Sequence, residues 1–305
     1  MTSEHIKVAV VVVNYNGAED IIECIESLFR LDYPTELIVV VDNGSMDQSL
    51  TRLTAYDDKI TIISTGMNLG YAGGINVGLR HAMERNGIGW FFILNNDTIV
   101  APDCLSNLLK AAEQSPEVGI WGVQTRYHHS PETLQTSGGG WFNRWTSLSG
   151  LYGTGKIAAG YHYILKELSP MYINGAGLFV PRWFIERVGF MCEDYFLYFE
   201  EVDWAIRARR ADIWLEVAPS AVIYHKQGCS TGIIDRTGQR SLTADFYNIR
   251  NRLLIVRKYF PIALPMVYFT ICISILRRLM RREFAAALQV IRILLGLQKK
   301  AMSEK

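Results

Sequence analysis

Disulfide and zinc chemistry find little footing in this 305-residue chain. Its five cysteines, Cys24, Cys104, Cys192, Cys229 and Cys272, are odd in number and form no CxxC pair. That argues for a reduced, cytosolic setting and against a zinc site. No internal repeat or low-complexity tract occurs. Aromatic and basic residues do not interleave in the body as on a nucleic-acid surface, so no nucleic-acid partner is expected. The segment before the first apolar run, Met1 to Lys7, is polar and too short for a signal peptide. What the chain has is apolar mass: 49% of its residues are hydrophobic and 11% aromatic, which excludes a disordered chain and suits one large domain plus an appendage. The net charge of +1 hides an asymmetry. From Arg250 onward twelve Lys/Arg face two Asp/Glu, whereas before it nineteen face twenty-eight. An acidic body with a basic, apolar tail points to a membrane surface.

Short apolar runs alternate with amphipathic stretches. The runs Val8–Asn14, Glu36–Asp42, Lys59–Ser64, Trp90–Leu94 and Val118–Val123 read as buried strands. Between them, Ala18–Leu31, a helix capped by Asp47, Ala72–Arg85 and a helix opening at Pro102 carry helical spacing. Such alternation builds a parallel sheet covered on both faces, with ligands beyond the strands' carboxyl ends. Residues 126–166 read as loops with short strands. Met171–Val180 reads as a strand interrupted by Asn174-Gly175-Ala176-Gly177, and Phe184–Val188 and Val202–Arg210 as helices. Ile213–Val217 and Ala221–His225 read as two further strands.

Asn14, Asp42 and Asp97 all fall at strand exits, which argues for a single nucleotide pocket. Asp97 follows a buried run; it either forms a turn or holds a divalent cation, since Mg²⁺ needs only one or two carboxylates when phosphate oxygens supply the rest. Asp42 either caps a turn or accepts bonds from a nucleoside. The Gly-rich stretch Asn68 to Asn76 opens a helix but fits neither the Walker nor the GxGxxG spacing, so it serves either phosphate binding or close packing. Glu200, Glu201 and Asp203 lie between Phe199 and Trp204. Three acids so close repel, and one should hold its proton more tightly and serve as a base. The alternative is a solvated acidic helix start. His225 ends a strand before a Gly/Ser loop, where it serves either as a structural histidine or as a metal or phosphate contact. His81, His128, His129 and His162 have no such context.

In order, the segments Val-Val-Val-Asn-Tyr-Asn-Gly, Val-Asp-Asn-Gly-Ser-Met-Asp, Asn-Leu-Gly-Tyr-Ala-Gly-Gly-Ile-Asn, Leu-Asn-Asn-Asp-Thr, Asn-Gly-Ala-Gly-Leu-Phe-Val-Pro-Arg, Glu-Asp-Tyr-Phe-Leu-Tyr-Phe-Glu-Glu-Val-Asp-Trp, His-Lys-Gln-Gly-Cys-Ser-Thr-Gly and Tyr-Asn-Ile-Arg-Asn-Arg resemble the family-2 glycosyltransferases, in particular the rhamnosyltransferase-like branch. The resemblance spans roughly Val8 to Tyr259. It implies a GT-A fold, an α/β architecture with a central, mostly parallel sheet, spanning residues 1–250 with a donor half to about 125 and an acceptor half to 250. It implies an inverting hexosyl transfer, with rhamnose as the suggested sugar, from a nucleotide-diphospho-sugar to a glycan or lipid-linked acceptor in surface polysaccharide synthesis. Asn14, Asp42, Asn43, Asn68, Gly73, Asn96 and Asp97 would bind the nucleotide. Asp97 and His225 would hold Mg²⁺ or Mn²⁺. Asn174, Gly175, Ala176 and Asp194 would lie on the acceptor side. Glu201 would be the base, with Glu200 and Asp203 as supporting acids. Glu201 is one methylene longer than the Asp usual in the family, and Asn95 replaces the first acid of the metal motif.

Residues 251–305 read as a helical, membrane-associating tail. Tyr259 to Leu276 is uncharged over eighteen residues, the lower limit for a span. Pro261 and Pro265 shorten it, and basic residues flank it on both sides, which favours a helix in the plane of the membrane. Phe284–Leu297 would follow as an amphipathic helix with Arg292 snorkelling. A hairpin through the bilayer and a homodimer interface are the alternatives. The expected location is the cytoplasm, peripheral on the inner face of the cell membrane. Two rival functions are a nucleotidyltransferase, whose glycine-rich basic N-terminal signature Val8–Asp20 lacks, and a non-catalytic membrane-associated scaffold, which would predict loss of Asp97 or of the acidic cluster.

Overall fold

The β-branched run of the first strand, β1 (Lys7–Asn14), is buried on both sides, as expected where helices cover both faces of a sheet. A computed structural model describes residues 6–161, 170–226 and 241–297. After β1 come α1 (Ala18–Leu28), β2 (Leu37–Asp42), α2 (Ser49–Leu53), β3 (Thr61–Ser64), α3 (Gly70–Met83), β4 (Ile88–Asn95), β5 (Thr98–Val100), α4 (Cys104–Gln114) and β6 (Val118–Tyr127). Then follow β7 (Ser130–Thr136), β8 (Gly139–Phe142), β9 (Ser149–Leu151), β10 (Tyr172–Ile173), β11 (Gly177–Pro181), α5 (Arg182–Val188), α6 (Glu200–Arg210) and β12 (Trp214–His225). The chain ends in α7 (Leu242–Tyr259), α8 (Leu264–Met280) and α9 (Phe284–Leu294).

The main sheet has the order β3-β2-β1-β4-β11-β6-β12-β5, with β7 on β6, and a small second sheet has the order β10-β8-β9. β3, β2, β1 and β4 run parallel, while β11 is antiparallel to β4 and β5 to β12. The chain winds outward from β1 to β3 and then crosses to the other side of β1 for β4. The crevice beyond the ends of β1 and β4 is therefore a topological switch point, where α/β sheets bind ligands. Alternate residues feed two apolar layers. Val11, Val39 and Phe91 join Ile75, Leu79, Phe184 and Trp204 on one face. Val10, Val12 and Phe92 join Ile21, Ile25, Leu105 and Leu108 on the other. Gly74 and Gly78 let α3 lie against β1: a Cβ on either would come within 2.4 Å of Val13 or Val11.

Several boundaries differ from the sequence reading. The helix after Pro102 starts at Cys104. Ile213–Val217 and Ala221–His225 form one strand, β12, whose register against β6 shifts between Ala218 and Val222; Pro219 lies in that irregularity and reads in sequence as a break. The strand Met171–Val180 divides between two sheets, with β10 on β8 and β11 on β4. The three-residue strand β5 had no periodic signal. The last helix stops at Leu294 rather than Leu297.

The helix α7 crosses residue 250 without a break, and its Ile249, Leu253, Ile255 and Val256 are buried with Val267 and Ile271 of α8 and Val290 and Ile293 of α9. Pro261–Met280 is long and apolar enough to cross a membrane by length and composition, and only 17% of its 18-residue apolar window is buried. Its outward side carries Ile262, Met266, Phe269, Leu276 and Met280, followed on α9 by Phe284 and Leu288.

Candidate active site

The short β5 brings the two metal candidates together. After β4 the chain turns through Asn96 and Asp97, and β5 lies antiparallel on β12 with Thr98 opposite His225. As a result Asp97 and His225, 128 residues apart, meet at 2.9 Å between Oδ1 and Nε2. The other ring nitrogen of His225, Nδ1, lies 2.7 Å from Gln135 Oε1 on β7. A partner of this kind fixes the ring's orientation and leaves Nε2 directed at the carboxylate. Both Asp97 and His225 are under a tenth exposed. The pair fits a hard divalent cation. Two neighbouring ligands of an octahedral ion with bonds of about 2.1 Å lie about 3 Å apart, close to the separation here. Among the described residues no third His, Cys, Asp or Glu joins them, so a cation would need further ligands, such as phosphate oxygens. Residues 227–232, the Gly/Ser loop after His225, lie outside the described residues, as does His162.

Asn14 and Asp42 pack beneath this point. Asn96 Nδ2 donates to Asn14 Oδ1 at 2.7 Å, and Asn14 Nδ2 donates to Asp42 Oδ1 at 3.4 Å. Asn43 closes the neighbouring turn: its Nδ2 donates to Gly70 O and Asn68 Oδ1, and its Oδ1 accepts from Leu69 N. Gly70 needs its positive φ of 77°, and a Cβ there would meet the backbone of Phe196. Gly73 is buried within α3, where a Cβ would meet Leu69; it packs rather than lining a cavity. Asp47 ties the region together, accepting from Ser49 N and Ala18 N.

A cavity of about 730 Å³ opens here, lined by Asn43, Asn68, Asn96, Asn174, Gly175, Ala176, Glu200, Glu201 and His225. Tyr71 bridges its two sides, its hydroxyl donating to Gly175 O at 2.6 Å. Glu200 and Glu201 start α6. Burial, and then the charge of Glu201, push the Glu200 carboxyl well above the usual range, so Glu200 holds its proton. Burial pushes Glu201 up to about 7, against the pull of neighbouring backbone N–H groups. One oxygen of each carboxyl is buried with no hydrogen-bond partner among the described residues. This pair can hold one proton and accept another near neutral pH.

Asn14, Asp42 and Asp97 are, like Gly73, absent from the cavity lining, Asp97 adjoining it through His225. Two further expected site residues lie elsewhere. Asp203 is fully buried and accepts from Arg207 Nε (2.7 Å), Lys258 Nζ (2.8 Å), Tyr259 OH (2.7 Å) and Tyr195 OH (3.2 Å). Burial alone would raise its pKa, but the bonds from Lys258 and Tyr259 and the charge of Arg207 hold it below the usual carboxylate range. Asp203 is thus an occupied anion joining α6 to α7 and is absent from the cavity lining. It has no free oxygen with which to support a base. Asp194 is exposed; its backbone carbonyl accepts from Arg250, and it is likewise absent from the lining.

The loop before α6 is strained. Phe196, Tyr198 and Phe199 have φ of 62°, 67° and 75°, and Leu197 N donates to Tyr195 O at 2.7 Å, a γ-turn of the rarer hand with Phe196 at its centre. Each such residue costs roughly 1–3 kcal/mol and persists only where its surroundings hold it. The fully buried Asn251 of α7 does so, its Nδ2 lying 2.8 Å from the carbonyl oxygens of Tyr195, Leu197 and Tyr198. The ring of Tyr247 stacks on Phe196 at 4.7 Å, and Tyr71 N donates to Phe196 O. Replacing Asn251 by Leu strands buried carbonyls and is expected to lower stability by about 2–4 kcal/mol, measured by urea unfolding. A loss under about 0.5 kcal/mol would mean the loop holds itself. Neither Asn251 nor Gln135 was assigned a role from sequence. Asn251 stood within a motif, but Gln135 lay in a stretch without periodicity.

The sequence model of glycosyl transferase family 2 matches residues 9–163, half of the chain. A low-salt glycan biosynthesis hexosyltransferase of Haloferax volcanii is 26% identical over 270 residues, covering 86% of this chain and 79% of that protein. An N-acetylglucosaminyl-diphospho-decaprenol L-rhamnosyltransferase of Mycobacterium tuberculosis is 26% identical over 251 residues, covering 73% of this chain and 77% of that protein. Among solved structures, a mannosyltransferase from Pyrobaculum calidifontis, in complex with GDP-Man and Mn²⁺, superposes with a TM-score of 0.59 at 16% identity, covering 96% of this chain and 87% of that one. The sheet and its helices have the GT-A architecture expected from the sequence motifs.

Proposed function

The chain belongs to glycosyl transferase family 2, and from that premise we propose that its cavity holds a nucleotide-diphospho-sugar against Asp97 and His225 while Glu201 activates the acceptor. The observation that carries this reading is that His225, bonded to Asp97, and the Glu200–Glu201 pair line one cavity. Asp97 and His225 would hold Mn²⁺ or Mg²⁺; when bound, the cation neutralises charge on the departing nucleoside diphosphate. Gln135 keeps the His225 ring in place. Asn43, Asn68 and Asn96 form the polar floor on the nucleotide side, with Asn14 and Asp42 packed beneath Asn96, and Asn174, Gly175 and Ala176 form the wall on the acceptor side. Glu201 takes the proton of an acceptor hydroxyl, whose oxygen bonds to the anomeric carbon as the bond from that carbon to the diphosphate oxygen breaks. Attack opposite the leaving group inverts the anomeric centre, and no covalent enzyme intermediate forms. Glu200 keeps its proton throughout.

Rhamnose is the donor sugar this reading favours, in line with the motif resemblance and the mycobacterial relative's name. A glycan or lipid-linked acceptor fits the relatives' names, and a position on the inner membrane face would bring enzyme and lipid-linked acceptor onto one surface. The tail beyond about residue 250 is the candidate for that contact. One side of α8 and α9 is packed on α7 and the other is apolar and exposed, which favours a helix lying in the membrane plane over one that spans it. A panel of UDP-, GDP- and dTDP-sugars tests the donor reading. With Mn²⁺ present, a dTDP- or UDP-linked deoxyhexose is expected to raise the melting temperature by several degrees through mass action, and chelator should remove the shift. No shift with any donor, or pyrophosphate release from a nucleoside triphosphate, would contradict it.

A further inference from the structure

A second cavity, of about 880 Å³, lies among the tail helices, lined by Arg277, Arg278, Arg281 and Arg282 together with Asp245 and Glu283. Arg278 is committed, to Asp245 at 2.5 Å and to Ser274. The other three guanidinium groups have no hydrogen-bond or ion-pair partner among the described residues. Four arginines against two carboxylates leave the cavity cationic. Guanidinium forks match phosphate oxygens in geometry and charge. The surroundings are apolar: Leu276, Met280, Phe284 and Leu288 are each exposed by 48% or more. A cationic recess set within an exposed apolar face is what the phosphate of an amphiphile meets when its acyl chains lie alongside. Resting on the membrane-facing reading of the tail, we propose that this cavity binds the phosphate headgroup of anionic membrane lipids.

The position gives the site a purpose. Leu242 and Asp245 of α7 line this cavity, while Thr243, Ala244 and Tyr247 of the same turns line the catalytic one. A headgroup seated on the arginines therefore holds the mouth of the active site at the lipid surface.

Vesicle sedimentation tests the proposal, using the full chain with phosphatidylglycerol or phosphatidylcholine vesicles. Wild type is expected to bind the anionic vesicles at least tenfold more tightly, and inorganic pyrophosphate at millimolar concentration (~1–5 mM) to compete. R281A/R282A should weaken anionic binding about thirtyfold, from about 1 kcal/mol per arginine near such a surface, and abolish the competition. R281K/R282K, which keeps the charge but loses the fork, should restore part of the affinity. Arg30, just after α1, and Lys110, on α4, are exposed at helices whose buried faces belong to the apolar layer opposite the one that holds the tail, so R30A/K110A should bind as wild type. Unchanged circular dichroism and donor hydrolysis in solution show that the variants are folded. Equal loss in R30A/K110A would reduce the effect to diffuse charge and overturn the site. Equal binding of both vesicle types would also overturn it, with the membrane-facing tail standing. Binding to neither would remove the membrane reading itself. A dimer in sedimentation analysis that R281A/R282A dissociates would assign the cavity to a second copy and overturn the lipid.

Discussion

Glu201→Gln is expected to lower sugar transfer about 10²–10⁴-fold, the range a positioned general base supplies, while leaving nucleotide affinity unchanged in calorimetry. The substitution keeps shape and buried volume and removes only proton acceptance. Glu200→Gln makes the sharper contrast. Glu200 retains its proton because burial and the adjacent Glu201 raise its pKa, so an amide replaces a neutral acid and turnover should stay within about tenfold of wild type. The same assignment fixes the sign of the pH dependence. Glu201 is raised to about 7 by burial, and it works only when ionised. Turnover should therefore rise with pH, half its plateau falling near that value, and drop steadily on the acid side. A flat profile from about pH 5.5 to 8, or equal losses in the two variants, would move the base to another residue. The same raised acids carry a stability cost: in the folded state they bind protons that the unfolded chain has released. Their contribution favours the folded state less and less as pH rises from the ordinary glutamate range through that of the folded protein. Activity and stability are thus expected to trend in opposite directions across this window.

Asp97→Ala is expected to abolish cation-dependent donor binding. Among the described residues only Asp97 and His225 stand at the proposed ion position; removing the carboxylate leaves a single imidazole there, and hard divalent ions bind such a site poorly. Donor affinity in Mn²⁺ should fall to the value measured with chelator, and transfer should drop by about 10³-fold or more, as for loss of a main charge-stabilising group. Gln135→Leu should produce a partial version of the same defect, a 10–100-fold weaker ion, since it frees the far side of the His225 ring without touching a ligand. Wild type and Asp97→Ala hydrolysing donor equally in Mn²⁺ would show that Asp97 is only a turn residue.

Much of this arrangement was legible in the chain because β1, β2 and β4 are apolar runs rich in β-branched and aromatic residues that lead into Asn14, Asp42 and Asn95-Asn96-Asp97. A parallel sheet sends such ends to one edge, so their convergence follows from topology. Other features depend on contacts that no local pattern encodes. β5 is three residues long, too short for a period, yet its pairing on β12 is what sets Thr98 opposite His225. The acidic cluster looked like one unit because its members are adjacent. On α6, however, Asp203 turns to Arg207 and to Lys258 and Tyr259, residues more than fifty positions ahead, while Glu200 and Glu201 keep the cavity. Gly73 is a glycine in a phosphate-like stretch whose place in the helix is explained by packing on Leu69. The strained turn at Phe196 was invisible because its support, Asn251 of α7, lies more than fifty residues later in the chain.

The proposed chemistry comes down to one cation shared by two side chains beside a base. A crystal soaked with Mn²⁺ and a nucleoside diphosphate, measured at the manganese absorption edge, addresses it directly. An anomalous peak is expected within bonding distance of Asp97 and His225, with the diphosphate on the peak and the Glu201 carboxyl facing the same cavity. A peak bound by neither residue, with diphosphate lying elsewhere, would contradict it.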